Sequence, residues 1–305
     1  MALDVASVIG PDGWITWEVL TARVDRKTVS RWTAAGTLVR LQPGVYATSA
    51  TAAQWRLRVE AAVLSRGGVA SHRTALALWG LVPPGGPVHL TVEPGRSNRR
   101  SAGLVLHRSQ DLRDAVRSVE GVRVTSVERT LVDTWGRPGD IGRAAVRAAA
   151  ITAVRRRMCR PKDLAFEIGR RPQLPARSSL AELVALLADG CQSELEIWGC
   201  LNVLRAPGMP HATLQHRVGV GGQTFVLDAA YEEVRLAVEM DGAAWHGSRD
   251  QRERDIRRDA LLATVGWQTL RFSFARLTGS ADTCRRDIRA VHAARLQVIR
   301  PNEAR

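Results

Sequence analysis

The chain has 305 residues, of which 45% are apolar and 24% charged, proportions of a soluble globular protein with room for two or three domains. No stretch approaches eighteen consecutive apolar residues, which excludes a spanning helix. The first residues carry Asp4 and no base ahead of their apolar part, unlike a secretory leader, so a cytoplasmic protein without membrane contact is expected. Lys and Arg total 44 against 30 acids, a net charge of +14, which predicts attraction to a polyanion such as nucleic acid. Only Lys27 and Lys162 are lysines, so the arginine bias of a GC-rich genome is a second source of that charge. Cys159, Cys191, Cys200 and Cys284 form no Cys-x-x-Cys pair; reduced, buried thiols fit better than a zinc site.

In chain order, Thr16 reads as the N-cap of a helix over 17–23, with Val19, Leu20 and Val24 on its apolar side. A turn at 24–25 leads to a second helix over 26–35, closed by Gly36. Leu38–Leu41 and Val45–Ala47 then flank Gln42-Pro43-Gly44 as a β-hairpin. Helix, turn, helix and hairpin in this order make a winged helix-turn-helix. Helical spacing turns Val29 and Trp32 inward and leaves Arg26, Lys27, Ser30 and Arg31 outside, with Arg40 on the wing. Those five are the candidate contacts to double-stranded DNA. The competing reading is a small helical module with a solvated basic face.

The run GWITWEVLTARVDRKTVSRWTAAGTLVRLQPGVYAT, and its Leu41-to-Tyr46 wing above all, resembles the N-terminal domain of AbiEi-type antitoxins of type IV toxin–antitoxin systems. The resemblance covers about the first fifty residues. It implies operator binding and a cognate toxin as partner.

The middle segment, 51–171, alternates helices (53–66, around 70–81, 126–135, 142–157, 161–169) with strands (88–92, 104–107, 122–125), a mixed α/β region. Ser126 suits an N-cap, with Glu128 in the first helical turn. His72, His107 and Asp133 can form a polar site, although three such residues on separate elements more often bridge a core. The Pro- and Arg-rich run at 170–177 has no periodicity and is expected as a linker, within a 172–192 stretch of linker and helix.

The third segment, 193–297, reads as helix (193–204), strands (215–220, 224–231, 235–241), helix (250–265) and strand (268–274). Side chains alternate along a strand, so Glu239 and Asp241 share one face. A hairpin loop over 232–235 sets Asp228 opposite Glu239. Three carboxylates in an apolar hairpin repel one another unless a cation sits among them, and Mg²⁺ or Mn²⁺ held by Asp228 and Glu239 suits that need. The alternative is an edge hairpin whose acids face solvent and local arginines. On the following helix Ile256, Ala260 and Ala263 are expected to face inward, with its charges pairing at i,i+4. Arg271, in mid-strand near the acids, must find a polar partner.

The motif VLDAAYEEVRLAVEMDGAAWHGSRDQRERDIRRDALLATVGWQTLRFSF resembles a domain related to very-short-patch-repair endonucleases, within the PD-(D/E)xK restriction-endonuclease-like superfamily. The match runs from about 193 to 277 and implies an α/β/α nuclease core. Glu196 falls on the family's helix acid, Asp228 and Glu239 on its strand acids, and Asp241-Gly242 with His246 on its Asp-Gly-x-x-His run. The resemblance makes Asp228, Glu239, Asp241, His246 and Glu196 the candidate catalytic residues. His246 is either a group that positions water or protonates a leaving group, or a surface histidine beside Trp245. Asp241 stands where the superfamily signature carries Lys, and the segment has no lysine; a histidine, an arginine or the metal alone must supply that charge.

The expectation is therefore a multidomain α+β / α/β protein: a winged helix-turn-helix (1–50), a mixed α/β middle region, and a C-terminal restriction-endonuclease-like core. Two functions compete. One is a Mg²⁺-dependent DNA endonuclease in a defence, repair or toxin–antitoxin setting. The other is an antitoxin-like transcriptional regulator with an inactive nuclease fold.

Overall fold

A computed structural model describes residues 4–95, 101–241 and 249–299. The chain divides into two compact units, Met1–Leu180 and Ala181–Arg305.

Unit 1 opens with helix α1 (Val5–Ile9), strand β1 (Trp14–Thr16), helices α2 (Trp17–Arg23) and α3 (Arg26–Ala34), and strands β2 (Leu38–Gln42) and β3 (Val45–Thr48). Short side chains set both helix starts, since Thr16 Oγ1 accepts from Val19 N and Asp25 Oδ1 from Thr28 N. The expected helix, turn, helix and hairpin are present, and β1 adds to the hairpin in a sheet ordered β1-β3-β2. Leu20, Val29, Trp32 and Leu38 form the core with α1. Val19 departs from expectation, being 43% exposed, because Leu20 and the C-capping Val24 already fill the inward side of this two-turn helix.

There follow helices α4 (Ser49–Ala52) and α5 (Trp55–Arg66), strand β4 (Val69–Ala70), helix α6 (His72–Leu78), and strands β5 (Val88–Val92), β6 (Leu104–Arg108), β7 (Val116–Val119) and β8 (Val122–Thr125). Helices α7 (Val127–Gly136), α8 (Gly142–Arg155) and α9 (Pro161–Gly169) complete the unit. The five strands order as β6-β5-β4-β8-β7, with β5·β6 and β4·β8 parallel and the other pairs antiparallel. Ser126 caps α7 as expected. The run at 170–177, expected as a linker, lies against α7: Trp135 Nε1 donates to Ala176 O at 3.1 Å, and Leu174 packs where a side chain on Gly136 would stand.

Helix α10 (Arg177–Ala188) carries the chain across the unit boundary. Unit 2 holds α11 (Glu194–Gly199), a π-helical turn (Cys200–Leu204), β9 (Thr213–Val220), β10 (Gln223–Tyr231), β11 (Leu236–Asp241), α12 (Arg249–Thr264), β12 (Gln268–Ser273), α13 (Phe274–Gly279) and α14 (Ala281–Ile299). Strands β9, β10 and β11 form the expected antiparallel meander, and β12 joins β11 in parallel. One sheet face packs Ala229, Tyr231, Leu236, Val238 and Met240 against Phe272, Leu277, Cys284 and Ile288. The other sets Leu227, Ala230 and Ala237 against Leu262 of α12. Helices on both faces bury β11 and the Tyr231 end of β10, which leaves a buried polar residue such as Glu239 in need of a partner.

Candidate active site

The β10–β11 register pairs Tyr231 with Leu236, Ala230 with Ala237 and Ala229 with Val238, so Asp228 and Glu239 are next in line. There the ladder gives way to a side-chain bond, with Asp228 Oδ2 accepting from Met240 N at 2.8 Å. On its other flank, β10 pairs Leu227 with His216 and Ala229 with Leu214, passing over Asp228 and Gln215. Gln215 has φ +51°, a left-handed conformation that costs a non-glycine residue about 1 kcal/mol or more and clusters at functional sites. Strict alternation lapses at the same point, since Leu227 and Ala230 pack in one cluster.

Glu239 points to the α12 face and is 6% exposed. Arg258 of α12 grips its carboxylate with both terminal nitrogens, at 2.7 Å to Oε1 and 3.3 Å to Oε2, and also donates to Val226 O at 2.6 Å. Burial nevertheless pushes the Glu239 carboxyl up to about 7, with the charge of Asp228 adding to the rise and Arg258 and Arg271 only partly opposing it. Arg271 lies beside Glu239 in the parallel β11–β12 register and forms a bidentate pair with Asp259 of α12, at 2.9 and 3.1 Å.

This arrangement corrects the reading of α12. Ile256 is 57% exposed, and Ala260 and Ala263 are exposed as well; the inward side carries Arg258, Asp259 and fully buried Leu262. The ion pairs of Arg258 and Asp259 run across to the sheet rather than along the helix. Leu262 with Leu261 and Val265 anchors the helix on the sheet, and one turn before Leu262 that rotation turns Arg258 toward the acids.

Glu196 sits at the start of α11, where Ser193 Oγ donates to its Oε1 at 2.7 Å and Gln192 N to its Oε2 at 2.9 Å, while Ser193 Oγ in turn accepts from Glu196 N. Its carboxylate thus serves as a helix cap, and Gln215 Nε2 reaches the same oxygen at 3.3 Å. Burial raises the Glu196 carboxyl and the charge of Asp228 adds to the rise, so the two acids share one electrostatic environment. Asp241 is placed by its backbone beside Ser273; its side chain and His246 lie outside the described residues. Among the described residues, no group of three His, Cys, Asp or Glu side chains is disposed to hold a metal, and all four cysteines are buried and free.

Sequence reasoning missed Arg258 and Gln215. Counting back from Leu262 by four places Arg258 on the buried stripe, a signal that the Ile256–Ala260–Ala263 pattern obscured. Nothing in the sequence marks the backbone of Gln215. In unit 1, Arg26, Lys27, Ser30, Arg31 and Arg40 are all exposed on α3 and β2, while Val29 and Trp32 are buried.

A restriction-endonuclease-like family model (REase_MTES_1575) matches residues 202–291, which supports a restriction-endonuclease-like domain in unit 2. Over a longer span the chain is similar to the uncharacterized proteins MT2308 and Rv2248 of Mycobacterium tuberculosis (strains CDC 1551 / Oshkosh and ATCC 25618 / H37Rv). Each is 29% identical over 238 residues, 76% of this chain and 84% of the relative. The crystal structure of the RV2827C protein from Mycobacterium tuberculosis matches 58% of this chain and 71% of that one at 16% identity, with a TM-score of 0.41, below the level at which a common fold follows. No described helix is long and apolar enough to cross a membrane.

Proposed function

We propose that unit 2 is a divalent-metal-dependent DNA endonuclease domain and that α2, α3 and the β2–β3 hairpin form a winged helix that brings it to duplex DNA. The observation that carries the reading is the mutually repelling pair of half-buried Asp228 and buried Glu239 in a restriction-endonuclease-like domain. The donor set fits a Mg²⁺ or Mn²⁺ ion: two carboxylates next to each other in register, one buried and already gripping a cation, Arg258. Asp228 and Glu239 would hold the ion, which supplies Lewis-acid stabilisation of phosphate charge and a more acidic water. Arg258 brings a positive charge to Glu239 in a domain that has no lysine. Met240 N donates to Asp228, and Arg271 is paired with Asp259.

The test is cleavage of plasmid and oligonucleotide DNA with Mg²⁺ or Mn²⁺, comparing wild type with Asp228→Ala and Glu239→Ala. Loss of cleavage in both variants supports the reading; wild-type activity no greater than theirs overturns it. A pH dependence follows from burial of Glu239. Its carboxyl is protonated below about 7 in the folded protein, and a proton excludes a metal, so Mn²⁺ affinity and cleavage should rise with pH up to about 7 and then level off. Affinity that is flat between pH 5.5 and 8 would count against Glu239 as a ligand.

One observation favours a second reading, an antitoxin-like regulator whose nuclease fold is inactive: both Glu239 oxygens are occupied by Arg258. On either reading the basic face of α3 meets phosphate. Arg31→Ala is expected to weaken binding to duplex DNA and to reduce the slope of log affinity against log salt by about one. An unchanged slope in a salt titration removes Arg31 from the interface.

A further inference from the structure

A cavity of about 450 Å³ in unit 1 lies between the edge of the five-stranded sheet and helix α7. Its inner wall is built from histidines. His72, at the start of α6, is 5% exposed and has φ +51°, and Ser71 Oγ lies 3.0 Å from its Nδ1. Its ring stacks on that of His107 in β6, with centroids 3.5 Å apart and planes 13° from parallel. His107 Nε2 in turn meets His89 Nδ1 of β5 at 3.1 Å. Burial, reinforced by the neighbouring rings and Arg137, drives His72 down to about 2 and His107 to about 4, so both rings are neutral near pH 7. Beside His107 in the β5–β6 register stands Thr91, which lines the cavity, is 1% exposed, and whose Oγ1 has no hydrogen-bond partner among the described residues.

The charges around this wall do not balance. Arg129 and Arg171 are matched by Asp133 and Glu167 in a buried quartet, and Arg170 is matched by Asp111. Arg108 and Arg137 also line the cavity, are exposed, and form no ion pair among the described residues. Two uncompensated guanidinium groups, an unsatisfied hydroxyl and neutral rings lining one cavity match a doubly charged oxyanion in charge and in hydrogen-bonding need. A sheet-edge cleft of this size accommodates a ligand as large as a mononucleotide.

We propose that the cavity is a binding site for the phosphate of a small phosphomonoester, with Arg108 and Arg137 as its charge partners and the Thr91 hydroxyl as a further contact. The proposal is independent of whether the acidic hairpin of unit 2 cleaves DNA.

Calorimetric titration of the full chain with AMP, orthophosphate and adenosine, with ring ¹H–¹⁵N spectra of its histidines, tests it. AMP should bind and move the His107 ring signals. Arg108→Ala and Arg137→Ala should each weaken it at least about tenfold, as expected for loss of one charge-assisted hydrogen bond. Adenosine should not bind. Orthophosphate binding as tightly as AMP assigns the recognition to the phosphate alone; weaker binding adds contacts from the rest of the ester. Because both arginines are exposed, the variants should unfold at the wild-type temperature, and a variant that does not is replaced by Arg→Gln at the same position. Equal AMP affinity in the double variant, equal competition by chloride at matched ionic strength, or binding confined to 5′-phosphorylated oligonucleotides overturns the proposal.

Discussion

Glu239→Ala and Asp228→Ala are each expected to lower metal-dependent DNA cleavage by more than about 100-fold, because a bound divalent ion contributes several kcal/mol of charge stabilisation and each decade of rate is about 1.4 kcal/mol. The two should be about as damaging together as singly, since both are proposed to hold one ion. Arg258→Ala separates the two readings of unit 2 more sharply. Arg258 opposes the rise of the Glu239 carboxyl, so its removal should shift the midpoint of the pH profile further upward, by about one unit for loss of a close opposite charge. If Arg258 serves the reaction, cleavage falls in that variant even at pH 9, above the shifted midpoint. If it blocks the metal, Mn²⁺ binds more tightly there at pH 9, where Glu239 is ionised. Near-wild-type cleavage by the Asp228 and Glu239 variants would remove the hairpin from any catalytic role.

The second large effect concerns stability. Arg129 is 4% exposed and donates to Asp133 at 2.6 Å, Asp111 O at 2.6 Å and Ser109 Oγ at 3.0 Å. Its partners Asp133 and Glu167 are themselves largely buried. Arg129→Ala leaves two buried carboxylates to share Arg171, and removal of one partner from such a group costs about 3–5 kcal/mol. For a unit of this size that corresponds to a fall in melting temperature on the order of 10 °C. Arg129→Lys should recover part of the loss but not all, since an ammonium lacks the planar fork that reaches three acceptors. Thermal denaturation followed by circular dichroism decides the matter: a melting temperature within about 2 °C of wild type for Arg129→Ala would show that the quartet holds nothing together.

Much of the molecule was legible before any coordinates. Caps at Thr16 and Ser126, Gly44 at φ +79° in the first hairpin, and the meander over β9–β11 all follow from local chemistry and alternation. So does the alignment of Asp228 with Glu239, because a short loop at 232–235 fixes the register. The short elements α1, β1, α4, β4 and β7 were missed, since two to five residues carry no period, and so were α13 and the nineteen-residue α14 beyond the last core strand.

What the sequence determined by itself was the set of acids and the hairpin that aligns them: strand alternation and loop length are local, and they put two carboxylates side by side. Which cation answers those acids is a tertiary matter. The rotation of α12 is set by Leu262 against the sheet, and it turned Arg258 to Glu239 and Asp259 to Arg271, contrary to the stripe read along the helix. Burial on both sheet faces then raised the Glu239 carboxyl. The same holds in unit 1, where His72, His107 and Asp133 read either as a polar site or as bridges in a core, and only the packing of β5, β6 and α7 made them line one cavity. Contacts between residues far apart in the chain have no local signature, because they depend on which apolar faces find each other first.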